Sequence, residues 1–384
     1  MKAWHRLKCR LSRLLLRGRL LEWWLGWKMR RLERSYAGEL LGASTRPPAS
    51  ERLPGIKTAS PPRRLLFIGD VMWESHELIP ELERICPVET LDLRPVLQEG
   101  GAEAAPYDFV LSAVRAFIAA RSDLEPDVIL FYARGSLLSD EVFELLRRRW
   151  ACPLLGMNLD EKVQFLPYGL FSHGNEGYER WARKVDLNLT NARALLDWYA
   201  DRGLPVYYMA EGYHRRFSDP PAGVPNSYTH ELTFLGSRRP EREALMKRLW
   251  ALGLPVKPFG AGWANSSPVE RPEALYRASL MNLGIGFASP SLALTTLKAR
   301  DFECPGAGAC YLTTWNWELA LHYDIGREIL CYRGDEELVE LFSYYRRRPE
   351  ECLRIAQAAW RRCLAEHTWE KRFRDLFRKL GWVA

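Results

Sequence analysis

Lys298, Arg300 and Glu303 fall within one short stretch, LKARDFECPGAGACYLT (Leu297 to Thr313), just ahead of a glycine-rich turn and an apolar run. Two cations beside a carboxylate suit a ligand that carries both phosphate and hydroxyl groups. Guanidinium and ammonium groups pair with diphosphate oxygens, and a carboxylate accepts hydrogen bonds from ribose or sugar hydroxyls. Read locally, the three residues occupy the last turns of a helix, with Pro305, Gly306 and Gly308 forming the turn into a buried strand over Ala309 to Thr313. The competing use of Glu303 is a helix-end ion pair with Arg300 or Lys298.

Two more loops have site composition. Gly236-Ser237-Arg238-Arg239-Pro240-Glu241-Arg242 follows the apolar run ELTFL. In an open α/β sheet such a loop sits at a strand's carboxyl end, where a helix N-terminus presents free N–H groups to an anion. Gly236 permits close backbone approach, and Arg238 and Arg239 are the phosphate-pairing candidates, against the alternative of a solvated loop. Gly260-Ala261-Gly262-Trp263 follows the next apolar run and borders a candidate base pocket, where Trp263 serves either as a stacking surface or as core. His173 and His76 stand on loops after strands and are weaker candidates.

The elements that must position these residues are legible from the pattern. Short apolar runs alternate with helix-like segments. Strands are expected at 63–70, 88–93, 127–132, 153–158, 186–190 and 206–209, and again at 232–235, 256–259, 280–285, 309–312 and 328–331, with helices between several of them and three long helices at the end. That rhythm implies two doubly wound parallel sheets. At 384 residues the chain exceeds what one core usually supports. The expected division is a basic helix at 1–41, a Pro/Ser/Ala-rich linker at 42–62, a first domain at 63–220 and a second at 221–384.

Composition narrows the class. Hydrophobic residues make up 47% and charged residues 27%, as in a soluble globular protein, and most of the 15 Trp are expected to be packing residues. The eight cysteines include no CxxC pair and the seven histidines no HExxH, so no metal site is indicated and a reducing cytoplasmic setting is expected. The +7 charge is uneven. The first 34 residues hold eleven Lys and Arg against Glu22 and Glu33, alongside Trp4, Leu7, Leu11, Leu14, Leu21, Leu25, Met29 and Leu32 at helical spacing. No apolar run is long enough to span a bilayer, so peripheral binding to an anionic membrane surface is the expectation. Docking on a protein and nucleic-acid binding are the alternatives.

FLGSRRPEREALMKRL (Phe234 to Leu249), PFGAGW (Pro258 to Trp263), KARDFECPGAGACYLT and the tail from Arg327 to Phe373 together resemble, in order, the CgeB-like glycosyltransferases of group 1. The resemblance covers most of residues 231 to 375. It implies the GT-B fold, two Rossmann-like domains facing a cleft, and hexosyl-type transfer from a nucleoside diphosphate sugar to an acceptor that is a glycan, lipid or protein. It further implies a metal-independent, retaining reaction with no cofactor beyond the donor. Glu303, with Gly308 five residues on, aligns with the later of the family's two glutamates, which holds the donor ribose. The earlier one falls at Thr295 here. The segments GMNLDEKVQF and MAEGYHRRF resemble family segments near the cleft and add Asp160, Glu211 and His214 as polar candidates, so His173, Asp160 and His214 are the weak candidates for catalysis. A catalytically silent nucleotide-binding or scaffold protein is the alternative, suggested by Thr295.

Overall fold

Apolar runs such as Val128, Ile129 and Leu130, each fully buried, become central strands of parallel sheets because helices cover both faces. The computed structural model describes residues 27, 51, 53–56, 62–95, 106–133, 138–159, 161–165, 178–217, 223, 228–264, 269–287 and 295–382. The expected N-terminal helix, apart from Trp27, and most of the linker lie outside them, as do His173 and Asp160. No described helix is long and apolar enough to cross a membrane.

The chain forms two compact units, Met1–Ala210 with Arg372–Ala384, and Glu211–Lys371. The first unit holds β1 (Leu65–Gly69), β2 (Val88–Asp92), β3 (Val128–Tyr132), β4 (Leu154–Asn158), β5 (Leu187–Thr190) and β6 (Val206–Tyr208). These pair in parallel in the order β2-β1-β3-β4-β5-β6. Helices α1 (Pro106–Ala120) and α2 (Asp140–Arg149) pack on it through Val110, Val114, Val142, Phe143 and Leu146.

The second unit holds β7 (His230–Leu235), β8 (Val256–Phe259), β9 (Ser279–Leu283), β10 (Tyr311–Thr314) and β11 (Leu330–Tyr332), all parallel in the order β11-β10-β9-β7-β8. Between and after them run α3 (Pro240–Ala251), α4 (Pro272–Arg277), α5 (Arg300–Gly306), α6 (Asp335–Tyr345), α7 (Pro349–Glu366) and α8 (Trp369–Lys379). Pro opens α3, α4 and α7 at the position where a missing N–H costs nothing. Asn282, buried in β9, ties the layer together. Its Oδ1 accepts from Thr233 Oγ1 (2.7 Å), and its Nδ2 donates to the Tyr276 and Cys310 carbonyls (3.0 and 3.3 Å). α8 begins in the second unit, and from Arg372 onward it belongs to the first.

One local expectation is corrected. Lys298, Arg300 and Glu303 stand at the start of a helix, not at its end, because α5 runs from Arg300 through Pro305 to Gly306. Asp301 Oδ2 accepts the Lys298 backbone N–H at 2.8 Å and so anchors the first turn. Pro305 cannot donate to the Asp301 carbonyl four residues back, and Tyr323 supplies the missing donor, its hydroxyl reaching that oxygen at 2.7 Å. The following strand starts later than expected, at Tyr311.

Candidate functional site

In the second sheet β7 has β8 on one side and β9 on the other, so chain direction diverges there, and the carboxyl ends of β7 and β9 flank a topological switch point. The loops after β7 and β8 are joined there backbone to backbone. Gly236 N–H donates to the Phe259 carbonyl (2.9 Å) and Arg238 N–H to that of Ala261 (2.8 Å). The approach is so close that a Cβ on Gly260, whose φ is +112°, would lie 2.8 Å from the Gly236 oxygen. Trp263 is buried, and its indole N–H donates to the same oxygen at 2.8 Å, so the ring packs as a pin between the two loops.

Gly236 is crowded by cations. A Cβ there would meet Phe234 Cζ at 2.9 Å, Arg300 Nη1 at 3.1 Å and Arg242 Nη1 at 3.3 Å. Both guanidiniums also sit against the Phe234 ring, Arg300 at 5.3 Å and Arg242 at 5.7 Å from its centre. Arg242 Nη1 donates to the Ser237 carbonyl (2.9 Å) and hydroxyl (3.2 Å). Arg300 differs, since its Nε and Nη2 are buried with no hydrogen-bond partner. Burial alone would pull its pKa down, but neighbouring Tyr311, Tyr276, Asp301 and Glu303 push it net upward, so it stays charged. Unsatisfied buried guanidinium nitrogens are costly, and an anion would satisfy them.

The other sequence candidates are distributed around this point. Arg238 is exposed and its guanidinium goes to Glu243 Oε2 at 2.5 Å, while Arg239 caps α3 in the open. The side chain that reaches back to Gly236 is that of Arg242, on the first turn of α3. Its spacing from Gly236, across a proline-started helix, is the signal that could have found it. Lys298 and Glu303 are half-buried. Glu303 Oε2 accepts from the Tyr276 hydroxyl at 3.3 Å. Asp301 is buried with Oδ1 accepting from Tyr311 (2.7 Å), and burial raises its pKa against the lowering effect of that bond and of the Lys298 N–H. Gly308, with φ +73°, lies at the other end of α5 before β10. There it lines a cavity of about 150 Å³ with Ser279, Cys310 and Cys352, away from Gly236. His214 is half-buried, its Nδ1 accepting the Arg216 N–H at 2.9 Å.

In the first unit the sequence reading passed over Glu161, next to Asp160. It is fully buried after β4, with Oε1 accepting from the Tyr199 hydroxyl and Oε2 without a partner. Burial pushes its pKa up to about 8, against the lowering effect of Thr190 and Tyr199. The Tyr178 hydroxyl, close enough to Gly156 that a Cβ there would lie 2.6 Å away, is also buried without a partner.

Residues 238–378, from Arg238 in the β7 loop into α8, match the profile of the glycosyl transferase-like family. No curated protein matches the sequence. Among solved structures the chain is similar to sucrose-phosphate synthase of Thermosynechococcus elongatus, at 12% identity over 83% of this chain and 99% of that one, with a TM-score of 0.56. It is similar to Anabaena HepE in complex with UDP and glucose, at 13% identity over 83% and 99%, with a TM-score of 0.55. It is also similar to a glycosyltransferase of Rickettsia africae, at 10% identity over 83% and 97%, with a TM-score of 0.55. The match to the glycosyl transferase-like family is thus confined to residues 238–378, while the chain as a whole has the two-unit, parallel-sheet fold of the GT-B glycosyltransferases.

Proposed function

We propose that the protein transfers a sugar from a nucleoside diphosphate sugar to an acceptor, and that the second unit binds the donor. The observation that carries this is the pair of guanidiniums beside Gly236, with two buried Arg300 nitrogens awaiting an acceptor, at a sheet's switch point and on the same short helix as Glu303. Sugar transfer from a diphosphate builds negative charge on the departing phosphate. Cations already held in place stabilise that charge without reorganising during the reaction. Lys298 adds a third cation ahead of α5, and Glu303 would take the donor's ribose hydroxyls. HepE, similar in fold, has been solved with UDP and with UDP-glucose, which makes uridine nucleotides the first donors to test.

CgeB-like membership, hexosyl transfer, retention of configuration and independence from a metal are part of the same proposal, as are a cytoplasmic location and peripheral contact of the basic N-terminal segment with anionic membranes. The test is a thermal-shift panel of nucleotide sugars followed by a turnover assay. A ligand at 100 times its Kd stabilises by about 2.7 kcal/mol, which for a unit of this size corresponds to a rise of roughly 5–10 °C. No shift with any nucleotide or nucleotide sugar would reject the proposal. Thr295, at the position of the family's earlier glutamate and bridged to Phe287, favours one second reading, a protein that binds the nucleotide without turnover. Nucleotide-induced stabilisation with no release of sugar or diphosphate would select it.

A further inference from the structure

Tyr276 lies in α4, 2% exposed, and its hydroxyl donates to Glu303 Oε2 at 3.3 Å. The helix that carries it is fixed on two sides. Its own carbonyl accepts from Asn282 Nδ2 (3.0 Å), and the next residue, Arg277, donates from Nε to the Ala307 carbonyl (2.8 Å), just past the last residue of Glu303's helix. Burial pushes the phenol's pKa well above its ordinary range, with Glu303 adding to the effect, so the hydroxyl keeps its proton and remains a donor. A glutamate side chain is long and rotamer-rich, and ordering it only when a ligand arrives costs affinity.

Resting on the nucleotide-sugar reading above, we infer that Tyr276 is a positioning residue for Glu303: its hydroxyl holds one carboxylate oxygen so that Glu303 presents a fixed acceptor to the ribose hydroxyls of the donor nucleotide. Tyr276 touches no reacting atom, and its contribution passes wholly through the orientation of Glu303. The bond itself includes neither guanidinium, so removing it while the carboxylate and the ring stay in place tests the ribose contact against the phosphate contact.

The test is calorimetry on the full chain with uridine diphosphate, its 2′,3′-dideoxy analogue and inorganic pyrophosphate. Tyr276→Phe keeps the buried ring and removes one hydrogen bond to a charged group, so uridine diphosphate should bind about three- to tenfold more weakly. Binding of the dideoxy analogue and of pyrophosphate should be unchanged. In a Glu303→Gln background the same substitution should have a much smaller effect, because the two residues act as one unit. A merely structural hydroxyl would alter all three probes alike, or lower Tm with the preference for the ribose hydroxyls intact, and either result overturns the role. If the wild-type protein binds uridine diphosphate no better than pyrophosphate, the nucleotide reading fails first and takes this role with it. If the wild type prefers uridine diphosphate and Tyr276→Phe keeps that preference, the role of Tyr276 alone is rejected.

Discussion

Glu161 makes the stability of the first unit depend on pH in a direction opposite to that of most carboxylates. Its pKa is about 8 in the folded chain against an ordinary 4.5, because burial disfavours the carboxylate more than Tyr199 and Thr190 favour it. Below pH 4.5 the acid is protonated whether or not the chain is folded, and the full benefit is present. Between 4.5 and about 8 the folded protein still holds a proton that the unfolded chain has released, so stability falls as pH rises and levels off above the folded value. At 1.36 kcal/mol per pH unit, that window has a ceiling of about 5 kcal/mol. The part of that window between pH 5 and 9 is worth at most about 4 kcal/mol, and local relaxation and water entry lower it, so a loss of about 2–4 kcal/mol is expected from this one group. Glu161→Gln supplies the control, since the amide imitates the neutral acid and still accepts from Tyr199. Urea unfolding of both proteins across that range, followed at the first unit's transition, should give nearly equal stabilities at pH 5 and a variant more stable by at least about 2 kcal/mol at pH 9. A difference that stays constant with pH would show that Glu161 does not hold its proton in the folded state, and the reasoning from burial would be refuted.

Three further outcomes are expected. Arg300→Ala and Arg242→Ala should each weaken uridine diphosphate and pyrophosphate binding by calorimetry, Arg300→Ala by about ten- to hundredfold, as expected for charge-assisted bonds of roughly 1.5–3 kcal/mol, and both by more than Arg238→Ala, whose guanidinium is committed to Glu243. Glu303→Gln should lower donor affinity or kcat/KM about ten- to hundredfold with little change in Tm; a marked loss of Tm with affinity intact would make Glu303 an ion-pair residue. Deleting residues 1–40 should leave nucleotide binding intact while reducing co-sedimentation with anionic vesicles, and unchanged lipid binding would reject the membrane role of the basic segment.

The central strands β1, β3 and β4 were legible because each is an apolar run, and a parallel strand buried on both faces needs little beyond that to declare itself. Leu154–Asn158 and Leu187–Thr190 lie within a residue of where the sequence puts them. The turn at Pro305 was misread for a reason no local window contains. Proline normally ends a helix, and the donor that makes this one tolerable belongs to Tyr323 in another segment. The site was legible by neighbourhood more than by residue. The loops after β7 and β8 and the Arg300 region do meet, but Arg242 rather than Arg238 lies against Gly236, because the direction of a side chain on the first turn of α3 depends on Phe234 and Ser237 beneath it. Trp263, open in the sequence to stacking or packing, is committed to the Gly236 carbonyl by a contact between residues 27 positions apart.

The return of α8 to the first unit has a consequence for the order in which the protein is made. Phe373, Leu376, Phe377 and Trp382 are buried, with Phe377 against both Phe373 and Trp382, and the Trp382 indole N–H donates to the Ile56 carbonyl at 3.2 Å. Burying four such side chains contributes on the order of 6–12 kcal/mol, comparable to the net stability of a whole domain. A ribosome adds roughly 5–20 residues per second, so the second unit of about 160 residues occupies it for roughly 10–30 s after the last strand of the first unit has been synthesised. Throughout that interval the first unit exists as a nascent chain with an uncovered apolar strip. Chaperones that bind exposed aromatic surface would therefore find their substrate in the half made first, and the half made second, whose residues are contiguous, can finish folding before it.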